Sequence, residues 1–386
     1  MADLVLLRGA NALWPDGRID RADVLLDGPR IGRVAPVVEA PDGAQVIDLD
    51  GLTLAPGFVD VHVHGGGGHS LLTVNRDEIE AHARWVVSRG VTSFLATICA
   101  ADIEQGIAYA EAVAAVTGVI EGGAELLGLN FEGPFVSPER RGALPEGWLQ
   151  RPDRALLERL LAAGEVRIMT IAPDLDGGIE LVRAAVDAGV RVSVGHTDAT
   201  YDIARQAFEA GATHVTHAFN AMRPLHHRDP GPIGAAIEAK GVTVEAIGDG
   251  VHLHPATVRL LVRALGIDRV ALVTDAVTPA GLAAGTFRIG NEEAVLSEGS
   301  IRLPNGTIAG SAATMDAVVR NVVSWGIGDA AEALRMASAV PARVAGLAGR
   351  KGSLAAGLDA DLVAMTKDLA IWGTWAGGKC VYRSDG

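Results

Sequence analysis

Between residues 54 and 345 the chain alternates short apolar runs with stretches of helical periodicity, and most of the apolar runs close on a polar or metal-ligating side chain. Strand-like runs are expected to end at His64, Thr97, Glu132, Pro173, His196, His217, Asp249 and Asp275. Helical periodicity is expected over 77–89, 102–116, 153–163, 176–188, 200–209 and 255–265, with a weaker helix over 231–240. Several of these start at Asp or Thr, side chains that can accept from the free amides of a first helical turn. Eight β-α units predict an α/β fold built as a (β/α)8 TIM-type barrel rather than a doubly wound sheet. The stretch 275–310 reads as an irregular insertion with its own hairpin, followed by helices over 312–325 and 329–339.

Both ends of the chain read differently. Short alternating runs at 4–8, 22–26, 30–34 and 45–48 are separated by Asp16-Gly17 and Asp27-Gly28, which are turn signals. Strand-like runs return at 361–365 and 379–382. The expectation is a small β-sandwich module made of 1–53 and 346–386, flanking a catalytic barrel of 54–345.

Composition excludes several function classes. A net charge of −14 argues against a nucleic-acid surface, which favours a basic stripe. No apolar run approaches a membrane span, and the first residues show neither a basic n-region nor a cleavage pattern. Two remote cysteines, Cys99 and Cys380, define no disulfide framework and fit a cytoplasmic protein.

The first barrel strand ends in Val61-His62-Val63-His64, followed by four glycines, Gly65 to Gly68. Side chains alternate along a strand, so His62 and His64 share a face, where two imidazoles can hold one divalent ion. The glycines allow a tight turn against whatever lies there. Glu132, His196, His217 and Asp275 each fall at another strand end. Each alone has an ordinary structural explanation, such as a turn cap or a hydrogen-bonded core histidine. Together at one barrel mouth they point to a metal centre, because imidazole and carboxylate donors suit zinc or a similar ion.

The segment Pro56-Gly57-Phe58-Val59-Asp60-Val61-His62-Val63-His64 resembles the first-strand signature of the amidohydrolase superfamily, and 352–363 resembles its C-terminal return strand. Five further motifs, in order, resemble the N-acetylglucosamine-6-phosphate deacetylase family. They are 129–135 around Glu132, 195–200 around His196, 216–222 around His217, 249–252 ending at His252, and 272–276 around Asp275. Many amidohydrolases bridge two metals with a carboxylated lysine on a middle strand. No lysine precedes Lys240 here, so Glu132 is the available carboxylate. An adenosine deaminase-like reading lacks its His-Ala-x-Glu motif, since His217-Ala218 runs into Phe219-Asn220.

The resemblance implies hydrolysis of the acetamide of N-acetylglucosamine 6-phosphate to glucosamine 6-phosphate and acetate. It implies Zn2+, one or two per subunit, with Glu132, His196 and His217 holding the primary ion and His62 and His64 a second. Asp275 is implied as base towards water and then acid towards the amine. Substrate contacts are implied at Asn220, Ala221, Arg228, His252, Ile308, Ala309 and Gly310, with the phosphate site completed across a homodimer. One position departs from the pattern. Where the family carries a substrate-touching histidine after Gly-Ala, this chain reads Gly142-Ala143-Leu144. Leucine makes no hydrogen bond, so Ala143 and Leu144 are expected at the substrate with altered chemistry. N-acetylgalactosamine 6-phosphate and other N-acylated amino sugars stay open, as does a non-catalytic scaffold of the same fold.

Overall fold

A computed structural model describes residues 4–289 and 292–385. Eight parallel strands run in sequence order around a nearly closed barrel: Phe58–Val63, Val91–Ile98, Glu125–Phe131, Val166–Ile171, Arg191–Val194, His214–Val215, Thr243–Ile247 and Val270–Val273. The first and last strands meet through side chain and backbone. Thr274 Oγ1 donates to the buried Asp60 carboxylate at 2.6 Å, and Asp275 N donates to His62 O at 2.9 Å. Helices follow the strands and bury their apolar faces against them, and one large apolar cluster joins strands and helices. Asp102, Asp153, Thr200 and Asp329 cap their helices as their positions suggest. Two starts differ. Arg76–Val86 is capped by Asn75, and Gly178–Asp187 begins after Gly177 in the left-handed region rather than at Asp176.

The four glycines after His64 make a tight turn in which Gly65 and Gly66 pair with Ser70 and His69, and two of them leave room for a helix. A Cβ at Gly66 or Gly67 would fall 2.5 or 2.4 Å from the Trp85 ring. The insertion is more regular than its sequence suggests. Gly285–Ile289, Glu292–Ser297, Ser300–Arg302 and Ile308–Ser311 form a four-stranded antiparallel sheet. It is stitched to the barrel where Ser311 N donates to Asp275 O at 2.7 Å.

Strands from both ends of the chain join one eight-stranded mixed sheet, in which Leu362–Met365 pairs antiparallel with Thr53–Pro56. The sheet includes Ile371–Ala376, which the sequence reading did not assign. Residues 1–3 and 386, at the outer limits of the expected terminal module, lie outside the described residues.

The sheet and the barrel meet at a buried charge cluster. Lys351 Nζ lies 2.7 Å from Glu125 Oε2 and 3.0 Å from Asp359 Oδ2, and it also pairs with Asp361. Burial opposes the Lys351 charge, but Asp361 and Glu125 outweigh it and hold the ammonium above its ordinary range. Removing one partner of such a cluster leaves uncompensated buried charge. Lys351→Met is therefore expected to lower stability by about 3–5 kcal/mol, read as a reduced denaturant midpoint; an unchanged midpoint would show that the cluster contributes nothing.

Candidate metal centre and substrate cavity

Apart from His62, which lies within Phe58–Val63, the ligand-type residues sit just past the last regular residue of their strands. His64 and Glu132 follow Val63 and Phe131 directly, and His196, His217 and Asp275 lie two residues beyond Val194, Val215 and Val273. There the ladder ends and the chain turns. His196, His217 and Asp275 have φ of 47°, 25° and 49°, a costly conformation for non-glycine residues that surrounding structure must enforce.

These side chains converge. Glu132 Oε1 lies 2.9 Å from His196 Nε2 and 3.1 Å from His217 Nε2, and Glu132 Oε2 lies 3.4 Å from His64 Nε2. Asp275 Oδ1 is 3.3 Å from His64 Nε2 and 3.5 Å from His62 Nε2. His62, His64, Glu132, His196, His217 and Asp275 are all buried.

The far side of each ring decides what the near side offers. His62 Nδ1 lies 2.8 Å from Glu245 Oε2, His64 Nδ1 3.0 Å from Thr97 O, and His196 Nδ1 2.9 Å from Arg140 O. Carbonyls and carboxylates only accept, so each Nδ1 carries the hydrogen and each Nε2 turns a lone pair inward. His62 Nε2 is buried with no hydrogen-bond partner, and His196 Nε2 faces His217 Nε2 at 3.0 Å. Lone pairs and two carboxylates facing one another require a cation at their centre. The same demand shows at His62: against burial, Glu245 and Asp275 pull its pKa up to about 9, so a proton on Nε2 is the alternative to a metal ion at that lone pair. Burial would raise Asp275, but His62 and His64 hold it below the usual carboxylate range. The donors fall into two groups, His62–His64–Glu132 and Glu132–His196–His217, each with ligand atoms within 4.8 Å of one another. Both groups fit a divalent ion, and Glu132 belongs to both.

The residue that orients this arrangement escaped the sequence reading. Glu245, fully buried on the seventh strand, accepts from His62 Nδ1 and, at 2.8 Å, from the backbone amide of His217. Its other oxygen lies 3.1 Å from His214 Nε2. Burial would raise its pKa, but His62 and His214 hold it well below the ordinary range. The available signal was a glutamate inside the apolar run Thr243–Ile247.

The cluster opens into a cavity of about 420 Å³. Ala143, Leu144, Asn220, Ala221, His252, Ile308, Ala309 and Gly310 all line it, together with His64, Glu132, His196, His217 and Asp275. His62 lies beneath, outside the lining. Gly310 approaches so closely that a Cβ there would lie 2.9 Å from Asp275 O and 2.5 Å from Val277. His252 is fixed by Asp249 Oδ2 at 2.7 Å from its Nδ1. Leu144 is a buried part of the wall. Arg228 is not brought to this cavity; it is exposed on a loop held by Arg223 Nη1–Asp229 Oδ2 at 2.8 Å. Cys99, Gln105, Tyr109, Arg302 and Thr307 also line the cavity, and none of them was singled out as a site residue by the sequence reading.

Comparison with known proteins follows the same outline. The Amidohydrolase family matches residues 53–381. The chain belongs to the amidohydrolase family. It is 32% identical over 377 residues to an N-acetylglucosamine-6-phosphate deacetylase of Lysinibacillus sphaericus, covering 97% of each chain. It is 33% identical to an N-acetylgalactosamine-6-phosphate deacetylase of Escherichia coli O157:H7, covering 97% of this chain and 98% of that one. A structure of a variant N-acetyl-D-glucosamine-6-phosphate deacetylase from Mycobacterium smegmatis, in complex with N-acetyl-D-glucosamine-6-phosphate, superposes with a TM-score of 0.88 at 36% identity, covering 98% and 99% of the two chains. This amidohydrolase is thus a deacetylase acting on carbon–nitrogen bonds, and the scaffold alternative falls. Among the described residues no helix is long and apolar enough to cross a membrane.

Outer partners that orient ligating histidines typically contribute about 10–100-fold to metal affinity. Glu245→Gln keeps the shape but removes the charge opposite His62, and is expected to weaken metal retention by that factor. Metal content measured across a chelator titration checks this independently of turnover.

Proposed function

We propose that this amidohydrolase removes the acetyl group of N-acetylglucosamine 6-phosphate, giving glucosamine 6-phosphate and acetate in amino-sugar catabolism. The observation that carries the reading is the opening of the Glu132–His196–His217 cluster and Asp275 into one cavity, in a chain resembling such deacetylases over nearly its whole length. Zinc, one or two ions per chain, suits the two imidazoles beside Glu132 in each group. Glu132, His196 and His217 would hold the primary ion, and His62 and His64 with Glu132 a second. When bound, the ion supplies Lewis acidity, which lowers the pKa of a water and polarises the acetamide carbonyl.

The chain's own groups do the rest. Asp275, beside His62 and His64, takes a proton from the attacking water as the new carbon–oxygen bond forms. It returns that proton to the amide nitrogen as the carbon–nitrogen bond breaks, leaving acetate and a free amine. Asn220, Ala221 and His252 position the sugar together with Ile308, Ala309, Gly310, Ala143 and Leu144, all of which line the cavity. A second reading, N-acetylgalactosamine 6-phosphate, is supported by the likeness to the Escherichia coli relative, and Leu144, which offers the sugar no hydrogen bond, leaves the choice between the two sugars to the assay.

Several broader features belong to the same proposal. The strands of 1–53 and 346–386 act as a small β-sandwich module with its own apolar cluster, including Leu7, Val24, Leu362 and Trp375, and 54–345 is the catalytic barrel. The protein works as a homodimer, in which a second copy brings the exposed Arg228 to the phosphate. It acts in the cytoplasm, in keeping with the free thiols of Cys99 and Cys380.

Acetate release from phosphorylated and unphosphorylated N-acetylglucosamine and N-acetylgalactosamine, measured in parallel, tests the substrate. Activity is expected to disappear on chelation and return with zinc; full turnover without metal would refute the mechanism. Asp275→Asn is expected to lower turnover beyond the roughly 10²–10⁴-fold of ordinary acid–base catalysis while metal content persists. Near-normal turnover in this variant would remove Asp275 from its role.

A further inference from the structure

We propose that the cavity carries an acyl annex, an apolar lobe beyond the first three barrel strands that accepts N-acyl chains longer than acetyl. The inference rests on the phosphosugar reading above and concerns the acyl end of that substrate. Leu72, Cys99, Ala100, Tyr109, Leu144 and Pro145 all line the cavity. They come from the segment after the first strand, from the end of the second strand with the helix Ile103–Ala114 that follows it, and from the loop after the third. None of the six is an acid, a lysine, an arginine or a histidine. Gln105, from the same helix, also lines the cavity, and its side-chain oxygen is already occupied by the backbone amide of Ala101 at 2.9 Å. An apolar wall with few free polar groups recognises alkyl surface rather than sugar hydroxyls.

The placement of the lobe fits an acyl chain. The strands follow sequence order around the barrel, so the ends of the first three occupy one arc of the mouth. Asn220 and Ala221 follow the sixth strand and His252 follows the seventh, on the arc across from it. The loop after the third strand bridges the two arcs. A Cβ at Gly142 would lie 3.6 Å from the Ala221 Cβ, whereas one at Gly147 would run into Ala101 O. Leu144 and Pro145 stand between these two close approaches, and Leu144 is buried in the same apolar cluster that Leu72, Cys99 and Tyr109 pack against.

The lobe also reaches the chemistry. The Cys99 thiol lies beside the His64 ring, whose Nε2 is 3.3 Å from Asp275 Oδ1 and 3.4 Å from Glu132 Oε2. The apolar wall therefore begins next to the carboxylates around which the amide is cleaved. A sugar seated at Asn220 and His252, with its amide at Asp275, directs its acyl carbons towards the annex. Acetyl offers this wall one methyl group and leaves the rest of it to water. Each further methylene buried there strengthens binding about three- to fourfold. The reaction itself is unchanged: water adds to the acyl carbon, the carbon–nitrogen bond breaks, and a longer carboxylate leaves beside the same amine.

The test measures release of glucosamine 6-phosphate by the full chain, with zinc bound, from its N-acetyl, N-propionyl and N-butyryl derivatives. The amine is common to all three, so one assay reads them alike. KM is expected to fall about three- to fourfold per added methylene, with kcat/KM for the butyryl compound at or above that for acetyl. A kcat/KM that falls from acetyl to butyryl overturns the proposal. Leu72→Ala and Tyr109→Ala each remove part of the wall at half-buried positions, and thermal unfolding verifies that the variants fold. Each is expected to lower the butyryl-to-acetyl ratio of kcat/KM about three- to tenfold. A purely structural role would change both substrates by the same factor, and that result in both variants also overturns the proposal. Failure of the underlying reading looks different: the wild-type protein would then release no amine from any of the three sugar phosphates.

Discussion

Everything at this barrel mouth depends on one electrostatic demand: buried lone pairs and carboxylates pointed at each other need positive charge between them. The demand arises because acceptors behind His62, His64 and His196 fix the hydrogen on Nδ1. Glu245 is the most consequential of these acceptors, since one carboxylate sets the His62 ring and also holds the His217 backbone. The left-handed φ values at His196, His217 and Asp275 then follow as the cost of turning each chain end inward. Closure of the barrel through Asp60–Thr274 and His62–Asp275 places the first and eighth strands so that His64 and Asp275 meet.

The sequence made the barrel legible because its strand runs end in unusual residues. A histidine or carboxylate after an apolar run marks the C-terminal end of a strand, as it does in six of the eight runs, and eight runs in alternation with helices leave few other architectures. The cavity wall was legible only through motif resemblance, because Ala143, Ile308 and Ala309 carry no chemical signature of their own. Glu245 was not legible as a site residue because it lies inside a strand rather than at its end, where a charged residue signals burial against a partner. Arg302 was missed for the opposite reason. Its segment is short and broken by glycine and proline, so it read as part of an irregular insertion with one hairpin, and only the cross-strand pairing of the folded insertion brings it to the cavity wall. The regular insertion sheet and the strand Ile371–Ala376 were illegible on similar grounds, since short strands rely on neighbours distant in sequence for pairing and burial.

The third barrel strand, Glu125–Phe131, shows why donor clustering alone does not define a metal site. Glutamates mark both of its ends, Glu125 at its start and Glu132 just beyond its finish, roughly 23 Å apart along an extended chain. Each belongs to a group of ligand-type residues whose donor atoms lie within 4.8 Å of one another. At the Glu125 end, Asp359 and Asp361 complete the group, but Lys351 and Arg350 already supply the compensating charge. At the Glu132 end the partners are imidazoles, and no lysine or arginine is ion-paired with Glu132 or Asp275 among the described residues. The same carboxylate chemistry therefore serves structure at one end of the strand and metal binding at the other. What separates them is whether the chain provides its own cation or leaves that place to an ion that can also activate water.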